Sequence, residues 1–98
     1  MITHVVLMKF KPENKTQHMA EARERLLAMS GRVESLREIE VGLNVVVGER
    51  ALDLALITRF DDLTGLSAYA THPVHVAVKQ FLASVLELSF VVDYEAST

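Results

Sequence analysis

Three side chains capable of acid/base chemistry lie within seven residues of one another, in the stretch YATHPVH from Tyr69 to His75. A histidine can act as a base near neutral pH, and a phenol hydroxyl can donate a hydrogen bond to a substrate oxygen. Pro73 disfavours helix at the residue before it, whereas its own fixed φ suits the first position of a new helix. The pattern therefore predicts a corner between two helices, with His72 at the corner and His75 in the first turn of the second helix.

The predicted position of His75 has an electrostatic consequence. Both the positive end of a helix dipole and partial burial disfavour a charged imidazole, so we expect His75 to be neutral near pH 7 and available as a base. Tyr69 is expected near the apolar face of the preceding helix. The residues alone leave a structural alternative open, in which Tyr69 is a core residue with its hydroxyl at the surface and His72 is a helix cap.

The rest of the chain divides into further predicted elements. Alternating or β-branched apolar runs predict four strands, at about 2–10, 37–47, 53–60 and 89–95, and Gly42 within the second suggests a bulge or a close backbone approach. Apolar residues at spacings of three and four predict a helix from about Asn14 to Ser30. They also predict a helix after Pro73 that reaches Leu88. The stripe of that second helix is Val74, Val78, Phe81, Val85 and Leu88.

The order βαββαβ is that of the ferredoxin-like α+β fold, a four-stranded antiparallel sheet with helices on one face, here a single domain over residues 1–98. The other face of the sheet would carry an apolar patch too large to leave in water. We therefore expect a homodimer that pairs these faces into an α/β barrel. The residues expected on this patch are Val5, Leu7, Ala55, Ile57, Phe90 and Val92.

The opposite sheet face points toward the helices, and a pocket between the two layers would collect the candidate residues. Tyr69 and His75 are the candidate catalytic pair. The predicted ligand-binding residues are His4, Val6, Met8, Leu56, Thr58, His72 and Val78. For His4 the residues alone favour a histidine at the edge of the core, bonded to a backbone carbonyl.

Composition excludes several classes of function. A net charge of −3 with interspersed charges argues against nucleic-acid and anionic-membrane partners, and the absence of cysteine excludes thiol chemistry. No signal peptide or membrane span is evident, so a cytoplasmic location is expected. His72 and His75 form a weak metal pattern because a third ligand is missing. No phosphate loop, dinucleotide fingerprint or serine elbow is present, and neither a metal nor a cofactor is predicted.

Several segments at matching separations resemble the stress-responsive α/β-barrel (Dabb) family. They are HVVLMKFK at 4–11, GLN at 42–44, DLALITRF at 53–60, YATHPVH at 69–75 and VVDY at 91–94. The resemblance spans nearly the whole chain and implies a dimeric α+β barrel. It leaves the activity open, because many members of the family have no assigned activity.

The same resemblance suggests roles for individual residues. In olivetolic acid cyclase, a relative that cyclises a polyketide thioester without a cofactor, the catalytic tyrosine and histidine match Tyr69 and His75, and a histidine at the pocket edge matches His4. The histidine there removes a proton next to a carbonyl, and the tyrosine binds the substrate oxygen. The first helix of the present chain lacks the aromatics of the cyclase, so we expect Met19, Leu26 and Met29 to form that wall. A lyase, cyclase or isomerase and a non-catalytic small-molecule-binding dimer are both compatible with these residues.

Overall fold

Four strands and three helices follow one another in a computed structural model that describes residues 1–97. The ferredoxin-like α+β prediction is confirmed, with the helix predicted after Asp62 and the helix after Pro73 as separate elements. The elements are β1 Ile2–Phe10, α1 Lys15–Leu27, β2 Glu38–Leu43, β3 Leu54–Phe60, α2 Leu63–Ala70, α3 Pro73–Val85 and β4 Leu86–Glu95.

All neighbouring strands in the sheet are antiparallel, in the order β2-β3-β1-β4. Residues alternate between the two faces of β1, because successive side chains of a strand point to opposite sides. Val6 and Met8 are buried against the helices, whereas Leu7 between them is 40% exposed. The helices therefore cover one face only. The uncovered face, called the open sheet face below, carries Val5, Leu7, Ala55, Ile57, Phe90, Val92 and Tyr94.

The core lies between the covered face and the helices. Its most deeply buried apolar side chains come from β1, α1 and the turn after it, β3 and α2, and none of them is more than 1% exposed. Aliphatic and aromatic burial of this kind is the main favourable contribution to folding. These side chains are Phe10, Ala22, Leu26, Met29, Phe60 and Tyr69.

Helix α1 ends three residues earlier than its apolar spacing predicted. The amides of Met29 and Ser30 donate to the carbonyls of Leu26 and Leu27, three residues back, so the chain tightens after the last regular turn. Gly31 follows with a φ of 80°, a left-handed conformation that glycine adopts without a steric penalty. Met29 is fully buried although it lies beyond the end of the helix, so an apolar residue at this position did not indicate that the helix continues.

Strand β2 is shorter than predicted, and neither the bulge nor the close backbone approach suggested at Gly42 is present. Its register with β3 is continuous from Glu38 to Leu43, with Gly42 opposite Ala55. Leu43 pairs with Leu54, the first residue of β3, and beyond this pair the Asn44 amide donates to the Asp53 carbonyl before the chain leaves the sheet. The apolar run that suggested a longer strand is in a loop, where Val45 is 92% and Val47 is 99% exposed.

The boundary between α3 and β4 also differs from the prediction, which placed it after Leu88. The helix ends at Val85, and the strand begins at the next residue with no intervening loop. The β1–β4 register shifts between Lys9 and Phe10, where Leu88 and Leu86 are the respective partners. This shift of register is of the bulge type, and it lies between β1 and β4, where nothing in the sequence indicated a bulge.

Candidate functional site

Helices α2 and α3 each begin at a residue whose side chain caps the helix, and the corner lies between them at the His72 cap. The Asp62 side chain accepts a hydrogen bond from the Gly65 amide at 2.9 Å and begins α2. At the other end, His72 is the N-cap of α3, and its Nδ1 accepts from the Val74 amide at 3.1 Å. Pro73 is the first residue of α3, where its missing N–H costs no helical hydrogen bond. The chain therefore turns sharply between Ala70 and Pro73.

This corner brings Tyr69 and His75 face to face. Residues six apart lie on different sides of a continuous helix, so the stacking depends on the change of direction between the two helices. The two ring centroids are 3.9 Å apart and the ring planes differ by 27°. On its other sides the Tyr69 ring packs against Phe60 at 5.0 Å and approaches His4 edge-on at 6.2 Å.

Tyr69 is almost completely buried, and its hydroxyl oxygen has no hydrogen-bond partner among residues 1–97. Burial raises the pKa of Tyr69 well above its ordinary value, so the phenol stays protonated across the physiological pH range. A buried hydroxyl without a partner costs about 1–3 kcal/mol. Tyr69 is therefore a hydrogen-bond donor that the protein itself leaves unused.

The imidazole of His75 is oriented by the end of α2. Its Nδ1 lies 3.2 Å from the Ala70 carbonyl oxygen, an acceptor, which assigns the proton to Nδ1 and leaves the lone pair on Nε2. Burial lowers the pKa of His75, and the charges of Lys79 and His4 lower it further, while the Ala70 carbonyl acts in the opposite direction. His75 is thus held in the neutral form that can accept a proton.

A second histidine approaches the same tyrosine from the sheet. His4 and Asp93 are directly opposite each other in the β1–β4 register, and Nδ1 of His4 pairs with the Asp93 carboxylate. A carboxylate on one ring nitrogen fixes the orientation of an imidazole and directs Nε2 to other partners. Asp93 is 89 residues away in the chain, and nothing in the local sequence linked it to His4.

Between sheet and helices lies a cavity of about 400 Å³, within the range of small-molecule sites. Most of its wall is aliphatic, and its polar groups come from five side chains. All three helices and three of the four strands contribute to it. The polar residues are His4, Tyr69, His75, Lys79 and Ser89; the apolar ones include Val6, Met8, Leu26, Leu56, Leu66, Leu82 and Val91.

The structure brings six of the nine predicted site residues to this cavity: His4, Val6, Met8, Leu56, Tyr69 and His75. The other three lie outside its wall. Thr58 is fully buried and its hydroxyl donates to the His4 carbonyl at 3.4 Å. His72 caps α3, with Nε2 3.5 Å from the Glu34 carboxylate. Val78 is buried in the hydrophobic core.

Sequence reasoning missed several cavity residues. Of the three α1 side chains expected to form a wall, Leu26 does so, whereas Met29 is in the core and Met19 packs at its margin. Ser89 and Val91 enter because β4 contributes its helix-facing side. Lys79 enters because it lies one turn after His75, at the i+4 position on the same side of α3. That spacing was visible in the sequence and could have identified Lys79.

No group of three histidine, cysteine or acidic side chains is placed to hold a metal ion in the part of the chain that the structure describes. The two histidines of the HPVH stretch are used differently, since His72 caps a helix while His75 faces the cavity. Over residues 1–97, no helix is both long and apolar enough to cross a membrane.

Comparison with protein-family models places residues 2–96 in the Dabb family, described as the stress responsive A/B barrel domain. The chain is a Dabb domain. The match covers the whole site, from His4 on β1 to Asp93 on β4. No curated protein gave a match to the sequence.

Solved structures share this fold. A dimeric protein of unknown function with a ferredoxin-like fold from Bacteroides fragilis is 38% identical, with a TM-score of 0.88 over 97% of the Dabb chain and 95% of the other. A dimeric ferredoxin-like protein of unknown function from Thermobifida fusca is 20% identical (TM-score 0.87, 97% and 90% covered). The hydroxynitrile lyase of Passiflora edulis shares the fold at 14% identity (TM-score 0.83, 95% and 90% covered).

Proposed function

We propose that this Dabb domain binds a small carbonyl compound in the cavity between sheet and helices. The observation that carries the proposal is the unused hydroxyl of Tyr69. A protonated phenol in an apolar surrounding gains a hydrogen bond when a carbonyl oxygen comes within reach, and it has no protein partner to lose. The aliphatic walls would bury the rest of such a ligand.

His75 would act together with this donor. Its ring covers one face of Tyr69, so a ligand oxygen that reaches the phenol must pass close to the imidazole. A volume of about 400 Å³ suits a small organic molecule. The lyase from Passiflora edulis supports the proposal only to the extent that the same fold can accommodate a reaction on a small molecule.

Binding can be tested without knowing the natural ligand. Wild-type protein is heated with an excess of methyl 2-oxooctanoate, 2,4-octanedione or octane, and the shift in the unfolding temperature is recorded. Selective binding stabilises the folded state in proportion to RT ln(1 + [L]/Kd), so the two carbonyl compounds should raise the temperature more than octane does. Tyr69→Phe should reduce that difference, and Tyr94→Phe, on the open sheet face, should retain it. Equal shifts for all three compounds would contradict the proposal.

A second candidate function, a cofactor-free lyase, cyclase or isomerase, is favoured by the neutral state of His75. A base of lowered pKa beside a phenol donor can remove a proton from the carbon next to a carbonyl. In that step the C–H proton moves to Nε2 of His75 and the electron pair moves to the carbonyl oxygen, which receives the hydrogen bond of Tyr69. Return of the proton regenerates the ketone, so no other reactant is needed.

Hydrogen exchange tests this step directly. Methyl 2-oxooctanoate in D₂O exchanges its C3 hydrogens for deuterium if a base removes them, and proton NMR follows the loss of signal. Wild type should accelerate the exchange over buffer, and His75→Ala should abolish the acceleration while His18→Ala, on α1, leaves it intact. Binding with no exchange above the buffer rate would leave the protein as a binding module.

We also propose that the protein is a homodimer that pairs the open sheet face with the same face of a second copy. Phe90 and Val92 on that face are 59% and 60% exposed, an unfavourable arrangement for an isolated protomer. The dimeric relatives from Bacteroides fragilis and Thermobifida fusca support the proposal by analogy of fold.

Light scattering at micromolar concentration tests the dimer. Wild type should have twice the protomer mass of 10.9 kDa. Phe90→Glu would bury a charge at the interface and should give the protomer mass, because an unpaired buried charge is strongly unfavourable. Leu63→Glu is the matched control, since Leu63 is 64% exposed on α2, away from the sheet. A wild-type mass of 10.9 kDa throughout the concentration range would exclude the dimer.

A further inference from the structure

The charge distribution of the cavity points to a class of ligand. Two of its polar residues, His75 and Lys79, belong to the same side of α3, and Lys79 is the only one of the cavity residues with a permanent charge. No aspartate or glutamate is part of the wall. A site with a cation and no carboxylate attracts an anion and repels a cation.

Lys79 is also available to a ligand. Of the four lysines of the chain, Lys9 and Lys15 form ion pairs with Glu87 and Asp53, and Lys11 donates to the Ser84 carbonyl. Within residues 1–97, Lys79 has no carboxylate within 4.0 Å and no hydrogen-bond acceptor. Lys79 is solvent-exposed as well as part of the cavity wall, so its ammonium is free to meet a ligand there.

The position of Lys79 relative to His75 sets the spacing within the ligand. Side chains at i and i+4 of a helix have Cβ atoms about 5–6 Å apart. A ligand whose carboxylate pairs with Lys79 would extend its neighbouring carbonyl along the same side of α3, toward the His75 and Tyr69 rings. Ser89 on β4 adds a hydroxyl to the same cavity. The chain of the ligand would lie against Met8, Leu26 and Leu56.

We propose that the ligand is an anionic oxo acid, a carboxylate with a keto group near it and an apolar chain, bound with its carboxylate at Lys79. This inference rests on the proposed function, because it names the class of carbonyl compound that the same cavity takes. The new part of the inference is the carboxylate of the ligand, because binding of a carbonyl group by Tyr69 and His75 does not require one.

The test compares 2-oxooctanoate with its methyl ester, which has the same chain and keto group but no charge. Isothermal titration at low ionic strength should give about 5-fold tighter binding of the acid, the size expected of a partly exposed ion pair. Lys79→Met retains the aliphatic stem and should remove the difference, and Lys79→Arg should restore it. Lys11→Met, a lysine away from the cavity, should have no effect. Added salt to about 0.3 M should reduce the preference in wild type.

The outcomes separate the two proposals. If acid and ester bind equally to wild type, the anionic ligand is excluded and the carbonyl-binding function is retained. If the preference for the acid persists in Lys79→Met, the charge that selects it lies elsewhere and the assignment to Lys79 is wrong. If neither compound binds, the carbonyl-binding function and this inference both fail.

Discussion

The imidazole of His75 stacks on the phenol of Tyr69 at a centroid distance of 3.9 Å, although the two residues belong to different helices. The stacking holds a neutral base against a protonated donor, in a cavity with mostly aliphatic walls. It depends on the turn between α2 and α3, so the caps of these helices determine the geometry of the pair. The following predictions test the parts of this arrangement separately.

Tyr69→Phe should leave stability unchanged or raise it by about 1 kcal/mol. The variant keeps the packing against Phe60 and removes a buried hydroxyl that has no partner. Urea unfolding of wild type and variant measures the difference. Destabilisation by more than about 1 kcal/mol would mean that the hydroxyl is hydrogen-bonded in solution, and the argument for an unused donor would fail.

His75 should make the protein less stable as the pH falls. Because its folded pKa lies below the ordinary value of 6.5, the unfolded chain takes up a proton first, and stability is lost as pH falls from about 7.5 through 6.5 toward the lower folded pKa. Unfolding free energies at pH 7.5 and 5.5 should therefore differ more in wild type than in His75→Gln.

The matched control for this experiment is His18→Gln, which removes a histidine from α1 outside the cavity wall. It should preserve the wild-type difference between the two pH values. NMR titration of the His75 ring gives the same information directly. A titration midpoint of His75 at or above 6.5 would contradict the lowered pKa that keeps this residue neutral and able to act as a base.

His72→Ala should destabilise the protein by about 1 kcal/mol, because it removes the side chain that accepts from the Val74 amide at the start of α3. His72→Asn can restore an acceptor at the cap and should recover most of the loss. Neither variant should change the affinity for methyl 2-oxooctanoate, since His72 lies outside the cavity wall. A loss of affinity with intact stability would return His72 to the ligand-binding residues.

Asp93→Asn should alter the tautomer of His4 with little effect on stability. The carboxylate accepts from Nδ1 of His4, so neutral His4 in wild type should carry its proton on Nδ1, and nitrogen NMR distinguishes the two tautomers. The pair is partly exposed, and its loss should cost less than about 1 kcal/mol. Glu95→Gln on the same strand is the control, and an unchanged spectrum of His4 in Asp93→Asn would exclude the orienting role.

Most of the fold followed from the sequence because the strongest local signals agree with the tertiary structure. The alternation in β1 and β3 matches one covered and one open sheet face. Pro73 defines the corner, and the Asp62 carboxylate caps the start of α2. Three boundaries were misjudged, at the ends of α1, β2 and α3, because apolar spacing alone does not indicate where a helix or strand ends. The apolar run Val45–Val47 has the composition of a strand, but the pairing of β2 with β3 ends before it, at Leu43 and Leu54. Leu88 fits the apolar spacing of a helix and also the composition of a strand.

The candidate site was less predictable than the fold. The nearness of Tyr69 and His75 follows from the corner, but the pairing of His4 with Asp93 depends on the register of strands at opposite ends of the chain. The hydroxyl of Tyr69 was expected at the surface in the structural alternative, and the structure buries it without a partner. Such a feature reflects the three-dimensional packing of Phe60, His75 and His4 around one ring, which residue spacing does not encode.

The direct junction between α3 and β4 links the helix that borders the cavity to a strand of the open sheet face. Val85 ends the helix that carries His75 and Lys79, and Leu86 begins the strand that carries Phe90 and Val92. Without a loop to absorb movement, a displacement of α3 by a ligand would be transmitted to that strand. Occupancy of the cavity and association of protomers would then be thermodynamically coupled, and by reciprocity each would change the affinity of the other by the same factor.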